Sequence, residues 1–474
     1  MVDARGGAES RVEPDLAARQ AAIAAVAWLV IAVLVHVAAH ARLLFPEALD
    51  GVALLSYGRL RPIADNAFLF GWLATAAICA MFAIVPRAVG AQLHNEVLGA
   101  TAVIWWHLVM FAGVATLLLG MNQGRPLAEL PLGVDIGLLL LSLLVFYNVA
   151  MTAVRRNEHR LYVSVWYLLA AALMLPVLIA TGSVILSGVR DALVGAFYLG
   201  GLEFLFLIPV SLGIAYYVVP ASTGNAVPSR TLASIGFWTL IFVGGFTGVR
   251  YLVSGPIPLY LQAIAVAMTV VALVPVLTAA ANVVGAARGR WDLVGRPSAV
   301  RYAVTSVVAL VVWTALSAVT AVPSVSRLVG LTSWTAGLRT IVLAVVSSFA
   351  AFALLVYVYP LLVGRTWASE RASSFHFWGS LAGALTVAGS QMAAGLVQGS
   401  LALAASRSGE SAAGQAVAGE LGFVMRGFHW VQLAGWLLFG AAQFALAWNA
   451  ARTARAGEPV QLYAMAAPTV GSRA

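Results

Sequence analysis

Long runs of apolar residues, separated by short polar connections, dominate the chain. A run of about 20 apolar residues is long enough to cross the hydrocarbon layer of a membrane as a helix. Twelve such runs lie at residues 20–43, 66–87, 97–120, 132–154, 161–187, 192–219, 232–254, 257–286, 299–322, 335–362, 374–403 and 428–451. They lack the period-two alternation of strands in membrane barrels. The pattern therefore predicts an all-α, polytopic membrane protein with twelve transmembrane helices.

The polar segments outside these runs are too short to form a separate domain. We predict a cytoplasmic N-terminal arm at residues 1–19, a twelve-helix membrane domain at 20–452 and a cytoplasmic C-terminal tail at 453–474. The arm carries acidic as well as basic residues, unlike a cleavable signal peptide. The first helix is therefore expected to remain as an anchor.

The basic residues indicate how the helices are oriented. All 27 are arginine, and the formal net charge is +9. With a cytoplasmic N-terminus, 17 arginines fall on the cytoplasmic side and 10 on the outer side, as the positive-inside rule requires. Both termini are then cytoplasmic. The positive charge fits this bias and an attraction to anionic lipid headgroups, so nucleic acid is not an expected partner.

Cysteine usage limits the redox chemistry of the chain. Cys79 is the only cysteine, and it falls inside the second apolar run. This excludes an intramolecular disulfide and a covalently attached c-type haem. Electron entry through such a haem would require another subunit.

Several short motifs occur in an order and spacing typical of one family. They are 55–62; 118–120 with Gln123, Glu129 and Asp135; 155–163; Asp191, Tyr198, Tyr216, Tyr217 and Pro220; Phe237, Trp238, Pro258 and Gln262; 289–292; Trp334, Thr335 and Gly337; 376–378; and Gly395, Gln398 and Gly399. Over about residues 50–450 the chain resembles the cbb-type (C-family) haem-copper cytochrome c oxidase subunit I. The resemblance implies a haem-copper oxidase subunit I-like bundle in a bacterial inner membrane. It also implies other membrane subunits of a respiratory complex as partners, with a c-type cytochrome or a cupredoxin subunit among the candidates.

The residues that bind metals in that family are not matched here. The family holds a low-spin haem with two histidines, a high-spin haem with one and a copper ion with three. The corresponding positions are Ala64 and Thr340 for the low-spin haem, Leu338 for the high-spin haem, and Gly200, Arg250 and Tyr251 for copper. None is a histidine, and the predicted topology places all of them in the outer half of the membrane. We therefore expect no cofactor; haem b and copper held by atypical ligands are the alternative.

Glu203 is the acidic residue nearest the centre of a predicted span. An unpaired carboxylate at that depth costs about 3 kcal/mol or more on insertion scales. Since Glu203 lies three residues after Gly200, we predict that it pairs with Arg250, or alternatively with Arg339, in the vacated metal pocket. The competing interpretation is a protonated Glu203 bonded to a backbone carbonyl, with Arg250 extended towards the headgroups. A proton relay is a third, less supported interpretation.

Two missing haems would leave a large void in the bundle. At about 24 cal/mol per Å³, such a void would cost more than the net stability of a typical domain. The helices could approach each other through the small residues Gly200, Gly201, Gly244 and Gly245. A lipid or a quinone could instead fill the space, and the sequence leaves both outcomes open.

The seven histidines do not form an obvious cluster in the sequence. His36 and His40 lie one helical turn apart, a spacing that can bind a metal ion or face a haem, although a third ligand is lacking. We expect structural or solvated roles for the others, which are His94, His107, His159, His376 and His429.

Three functions remain consistent with the sequence. The first is a non-catalytic paralogue of oxidase subunit I that acts as a membrane scaffold within a respiratory or electron-transfer complex. The second is a cytochrome c oxidase catalytic subunit that reduces oxygen through atypical ligands. The third is a carrier of a small molecule or ion through the vacated cavity, with Glu203 and Arg250 as its polar centre. Broken helices or inverted repeats would favour the carrier, and the sequence shows neither clearly.

Overall fold

The computed structural model describes residues 15–48, 51–408 and 411–459. Within these ranges, twelve helices are long and apolar enough to cross a membrane. They are α1 Leu16–Leu44, α2 Tyr57–Val89, α3 Glu96–Leu118, α4 Leu132–Val154, α5 Val163–Gly182, α6 Val189–Thr223, α7 Arg230–Leu252, α8 Leu259–Ala286, α9 Ala299–Ala321, α10 Ser333–Val363, α11 Glu370–Ser406 and α12 Val424–Ala456. The predicted all-α, twelve-helix architecture is confirmed.

The predicted limits of the spans differ from the observed helices mainly at polar ends. Helix α2 begins at Tyr57, not at residue 66, and α5 ends at Gly182, not at residue 187. Helix α1 begins at Leu16 and α12 continues to Ala456, so both enter segments predicted as arm and tail. A hydropathy criterion misses the polar terminal turns of α1, α2 and α12, which extend into the interface. At α5 it instead includes the apolar loop residues that follow Gly182 and are not helical.

Helices α2, α6 and α10 form the interior of the bundle. All residues in the most apolar window of α2 and α6 are buried, and 83% in α10, against 61% or less in the other nine helices. Each of the three contains a π-helical segment near its middle, at 67–73, 202–207 and 341–347. Such segments are rare in proteins, and those that occur often lie at functional sites. The extra residue alters which side chains face inward.

The three central helices end in the same way. In each, a proline is followed four residues later by a glycine with a left-handed backbone. A polar residue five positions after that glycine caps the next helix. The three sets are Pro86, Gly90 and Asn95; Pro220, Gly224 and Ser229; and Pro360, Gly364 and Ser369. Glycine fits the left-handed turn because it has no Cβ. The chain therefore turns through three equivalent corners, all on the predicted cytoplasmic side.

An asparagine from a later helix fastens each corner. Asn148 of α4 accepts a hydrogen bond from the Asn95 amide (3.0 Å) and donates to the Asn95 carbonyl (2.9 Å). Asn282 of α8 makes the same pair of bonds with Ser229, at 3.0 and 2.9 Å. Asn449 of α12 donates to the Ser369 carbonyl at 3.0 Å. The segments α2–α4, α6–α8 and α10–α12 are therefore repeats with the same direction across the membrane, not inverted repeats.

Candidate functional site

Glu203 lies in the π-helical segment of α6, in the interior of the bundle. Its side chain is buried, with 5% of the residue exposed. Arg250, 8% exposed, lies in the short 3-10 turn that ends α7. Since a buried charge needs a partner to offset lost hydration, the position of each group depends on the other.

Arg250 and Tyr251 of α7, the residues predicted at two copper-ligand positions, both bind the Glu203 carboxylate. The Arg250 Nη2 group donates to Glu203 Oε2 in a short ion pair. The Tyr251 hydroxyl donates to Glu203 Oε1 at 2.5 Å. Arg250 Nη1 also donates to the Thr247 carbonyl at 3.0 Å. The carboxylate thus has a donor on each oxygen.

Aromatic rings surround the guanidinium group. The Arg250 guanidinium carbon lies 4.4 Å from the ring centroid of Tyr251, 5.5 Å from Phe204 and 5.7 Å from Trp313. Cation–π contacts of this length partly replace the hydration that a buried arginine loses. The guanidinium fixes a positive charge at a position where the family resemblance would place a metal ligand.

The backbones of α6 and α7 touch at the third aligned copper position. A Cβ added to Gly200 would lie 2.3 Å from the Gly248 Cα atom, and one added to Gly248 would lie 2.0 Å from the Ala196 carbonyl oxygen. No side chain can occupy position 200 unless one helix moves. A similar close approach occurs at Gly201 and Gly244, whose added Cβ atoms would lie 2.4 Å from leucine side chains. Gly245 does not take part in this close packing, because no atom lies within 4 Å of its added Cβ.

The aligned haem positions carry ordinary packing contacts. Ala64 is completely buried in α2. The Thr340 hydroxyl donates to Gln391 Oε1 at 2.7 Å, and the Leu338 carbonyl accepts a hydrogen bond from Trp313 Nε1 at 2.9 Å. None of these side chains offers a strong ligand for iron.

The donor set at these positions does not fit haem iron or copper. Gly200 has no side chain, and the Arg250 guanidinium is a cation that repels a metal ion. In the part of the chain that the structure describes, no group of three or more His, Cys, Asp or Glu side chains is arranged to hold a metal ion. A metal here would need a different backbone arrangement as well as different side chains.

Arg339 lies in a different place from the Glu203 pair. Within the described residues, no hydrogen bond or ion pair joins it to Glu203. It lines a cavity of about 190 Å³ between α1, α2, α10, α11 and α12. Thr340 also lines this cavity, as do Arg61 and Asp65 on either side of Ala64. The cavity therefore lies beside Thr340 and near Ala64, the two residues that the motif alignment predicted at low-spin haem positions.

The histidines make mainly aromatic and hydrogen-bonding contacts. His36 stacks on Trp436, with ring centroids 4.2 Å apart, and His40 Nδ1 bonds to the His36 carbonyl at 2.8 Å. His376 is bonded through Nδ1 to Tyr302 at 2.7 Å, and His107 Nδ1 accepts from Trp28 Nε1 at 3.1 Å. The structural roles expected for His107 and His376 are confirmed.

Glu129, in the outer loop between α3 and α4, is a buried acidic residue that received no role from the sequence beyond its place in a motif. Its Oε2 accepts a hydrogen bond from Asn66 Nδ2 at 2.7 Å. Burial and the nearby charge of Asp65 together raise the pKa of Glu129 to about 7, against the opposing effect of the hydrogen bond from Asn66. The loop is thus joined to the central helix α2 through a carboxyl group that titrates near neutral pH.

The family of the chain follows from comparison with known proteins. The sequence model described as "Cytochrome C and Quinol oxidase polypeptide I" matches residues 16–454. Since this match covers most of the chain, the protein belongs to that family. It is a cytochrome c oxidase subunit I-like membrane protein, and the family resemblance inferred from the motifs is confirmed.

Two curated relatives show how far the similarity extends. The chain is 29% identical over 401 residues to cytochrome c oxidase subunit 1 of Rhodobacter capsulatus, covering 80% of this chain and 75% of that protein. It is 27% identical over 470 residues to the Cbb3-type cytochrome c oxidase subunit CcoN1 of Stutzerimonas stutzeri, covering 94% and 96%. These relatives support a multi-pass protein of a bacterial inner membrane.

The fold is also found in a solved structure. A heme-copper terminal oxidase dimer determined by cryo-electron microscopy superposes with a TM-score of 0.77 at 14% identity, covering 96% of this chain and 87% of that chain. At this identity the comparison establishes the fold alone.

Proposed function

We propose that this protein is a non-catalytic paralogue of cbb-type oxidase subunit I that serves as a membrane scaffold within a respiratory or electron-transfer complex. The observation that carries the proposal is the Glu203 site. Two aligned copper positions supply Arg250 and Tyr251, and both bind one carboxylate. A cation and a phenol that hold a carboxylate stabilise the packing of α6 against α7 without any metal.

The contact between Gly200 and Gly248 supports the same proposal. The added Cβ atom at position 200 would lie 2.3 Å from the Gly248 Cα atom, so a ligand side chain is excluded by backbone and not only by residue type. Metal ligands from other positions would have to reach the site across this backbone contact. The catalytic alternative therefore requires a rearranged bundle.

Partners of such a scaffold would be other membrane subunits, with a c-type cytochrome or a cupredoxin subunit as the electron-carrying candidates. Many large apolar side chains are exposed on the outer helices, among them Trp105, Phe111 and Trp238, each more than half exposed. Surfaces of this kind face lipid or pack against the helices of another subunit. We further propose that both termini are cytoplasmic.

The proposal is tested by purifying the protein from a host that also makes a functional cbb-type subunit I as the positive control. Reduced-minus-oxidised absorption spectra, a pyridine haemochrome assay and metal analysis are expected to show haem and copper in the control only. Stoichiometric haem b in this protein would overturn the proposal. Co-purification in a mild detergent is expected to recover other membrane subunits at a fixed ratio, and their absence would remove the scaffold role.

A further inference from the structure

The cavity beside Arg339 differs from the collapsed copper region because it remains open. Its volume is about 190 Å³, slightly above the roughly 150 Å³ of an engineered cavity that binds benzene. A ligand with a single ring fits this volume, whereas a haem does not. The open side carries polar residues, including the exposed Arg61, and under the predicted topology it faces the outer side.

The wall of the cavity is aromatic and apolar. His36 and Trp436 are stacked with an angle of 3° between their rings, and Phe68 meets Trp436 edge to face, with centroids 6.4 Å apart. Leu343 and Met425 extend the apolar lining. Ligand pockets typically combine such a wall with a few polar groups that orient the ligand.

Two hydrogen-bond donors at the cavity lack acceptors. The indole Nε1 of Trp436, a residue 5% exposed, has no hydrogen-bond partner. In the described part of the chain, the Arg339 guanidinium likewise makes no hydrogen bond or ion pair, although it lines the cavity. A buried donor without an acceptor is destabilising, which applies to the Trp436 indole; the Arg339 side chain is part-exposed. An oxygen-bearing ligand would satisfy both groups.

The charges around the cavity select an anion. Asp65 forms an ion pair with Arg61 at 3.7 Å and lies 3.9 Å from His36 Nε2. Asp65 also lies within electrostatic range of Arg339, so one carboxylate is shared by two arginines and the lining of the cavity keeps a net positive charge.

We infer that this cavity binds a small carboxylate with one ring, whose carboxylate pairs with Arg339 and whose ring lies against Trp436 and Phe68. The inference rests on the proposed function only in that no haem occupies the cavity. The absorption spectrum tests that condition separately. A protein without haem that also fails to bind the carboxylate would contradict this inference and leave the proposed function intact.

Benzoate is the probe, titrated calorimetrically into the detergent-solubilised full chain at pH 8. Saturable binding is expected, and benzamide, which has the same shape without the charge, should bind at least tenfold more weakly. Arg339→Gln should weaken benzoate binding at least tenfold, because charge-assisted hydrogen bonds to carboxylates are among the strongest. Arg327→Gln, an exposed arginine outside the cavity, is the matched control and should not change it.

Trp436→Phe keeps the aromatic wall and removes the indole donor, and we expect it to weaken benzoate binding several-fold. It serves as the second variant if Arg339→Gln does not fold, as judged by thermal unfolding. No saturable binding by the unaltered protein, equal binding of benzoate and benzamide, or unchanged binding by both variants would overturn the inference. Binding of a neutral quinone in preference to benzoate would also overturn it.

Discussion

Glu203 receives its two donors from adjacent residues, Arg250 and Tyr251, and this determines what each substitution should do. The ion pair is buried on both sides, and removing one partner from a buried pair leaves an uncompensated charge. Replacing both partners with apolar residues of similar size avoids that cost. The pair should therefore behave as one unit in stability measurements.

Arg250→Leu is expected to destabilise the protein by about 3–5 kcal/mol, the usual cost of breaking a buried pair. The double variant Glu203→Leu with Arg250→Leu should recover most of that loss. Thermal unfolding of the purified proteins in one detergent, monitored by tryptophan fluorescence, provides the measurement. A double variant no more stable than Arg250→Leu would show that the two charges do not act on each other.

Glu129 gives the protein a pH dependence whose sign follows from its pKa. The folded-state pKa of about 7 lies above the usual 4.5, so folding favours the protonated carboxyl. Stability from this group is therefore present below pH 4.5 and is lost as the pH rises through 7, by at most about 3 kcal/mol.

Glu129→Gln keeps a neutral group at that position and should remove this dependence. Its unfolding temperature should be close to that of the unaltered protein at pH 5 and higher at pH 8. Thermal unfolding at both pH values measures the difference. An equal difference at the two pH values would contradict the assignment.

At the scale of helices, the contact between α6 and α7 depends on glycine at particular positions. Gly200→Ala should destabilise by about 1–3 kcal/mol, the range for overpacking a well-packed site, because its Cβ would lie 2.3 Å from the Gly248 Cα. Gly245→Ala is the matched control, since its Cβ would meet no atom within 4 Å. The control should be neutral or slightly stabilising, as alanine favours helix. Equal unfolding temperatures for the two variants would argue against direct backbone contact.

The asparagines that bond to the starts of α3 and α7 offer a second test at the scale of helices. Asn148→Ala and Asn282→Ala each remove a donor and an acceptor from a helix start, at an expected cost of about 1–3 kcal/mol. Because the two corners are separate repeats, the double variant should lose the sum of both, as independent sites do. Denaturant or thermal unfolding of the three variants checks this. Strong non-additivity would show that the corners are coupled.

The sequence predicted the number and order of helices because twenty apolar residues in a row have few alternatives in a membrane. It did not reveal that three helices end in the same turn. Only the proline and the glycine of that turn, such as Pro86 and Gly90, recur in the sequence, while the flanking residues differ. The π-helical segments were also missed. They arise where central helices pack on all sides, which is a tertiary constraint that leaves no local motif.

For the whole molecule, an even number of spans places both termini on one side of the membrane. We propose that this side is the cytoplasm, because the arginines then divide 17 inside against 10 outside. A fluorescent protein fused after Ala474 should fluoresce in bacteria, and alkaline phosphatase fused there should be inactive. Fusions within the loop that holds Glu129 should show the opposite behaviour. An active phosphatase at the C-terminus would reverse the topology.

The Glu203 site was predicted from the sequence and the cavity beside Arg339 was not, because their residues differ in how far apart they lie along the chain. Glu203 and Arg250 lie on successive spans, so the resemblance alone indicated both their helices and their depth. The cavity beside Arg339 gathers His36, Asp65 and Trp436 from helices far apart in sequence. Nothing local connects these residues, although Arg61 and Asp65, one turn apart, were a visible charged pair.

The contact between Gly200 and Gly248 also bears on how such a protein could change over generations. An imidazole at position 200 would first require the two backbones to separate, because its Cβ would lie 2.3 Å from the Gly248 Cα atom. Gly248 is itself packed against the Ala196 carbonyl. A histidine substituted at position 200 alone is therefore expected to strain the contact between α6 and α7 before it could bind a metal ion. A copper ligand at this position would therefore need a change in the main chain as well as in the side chain.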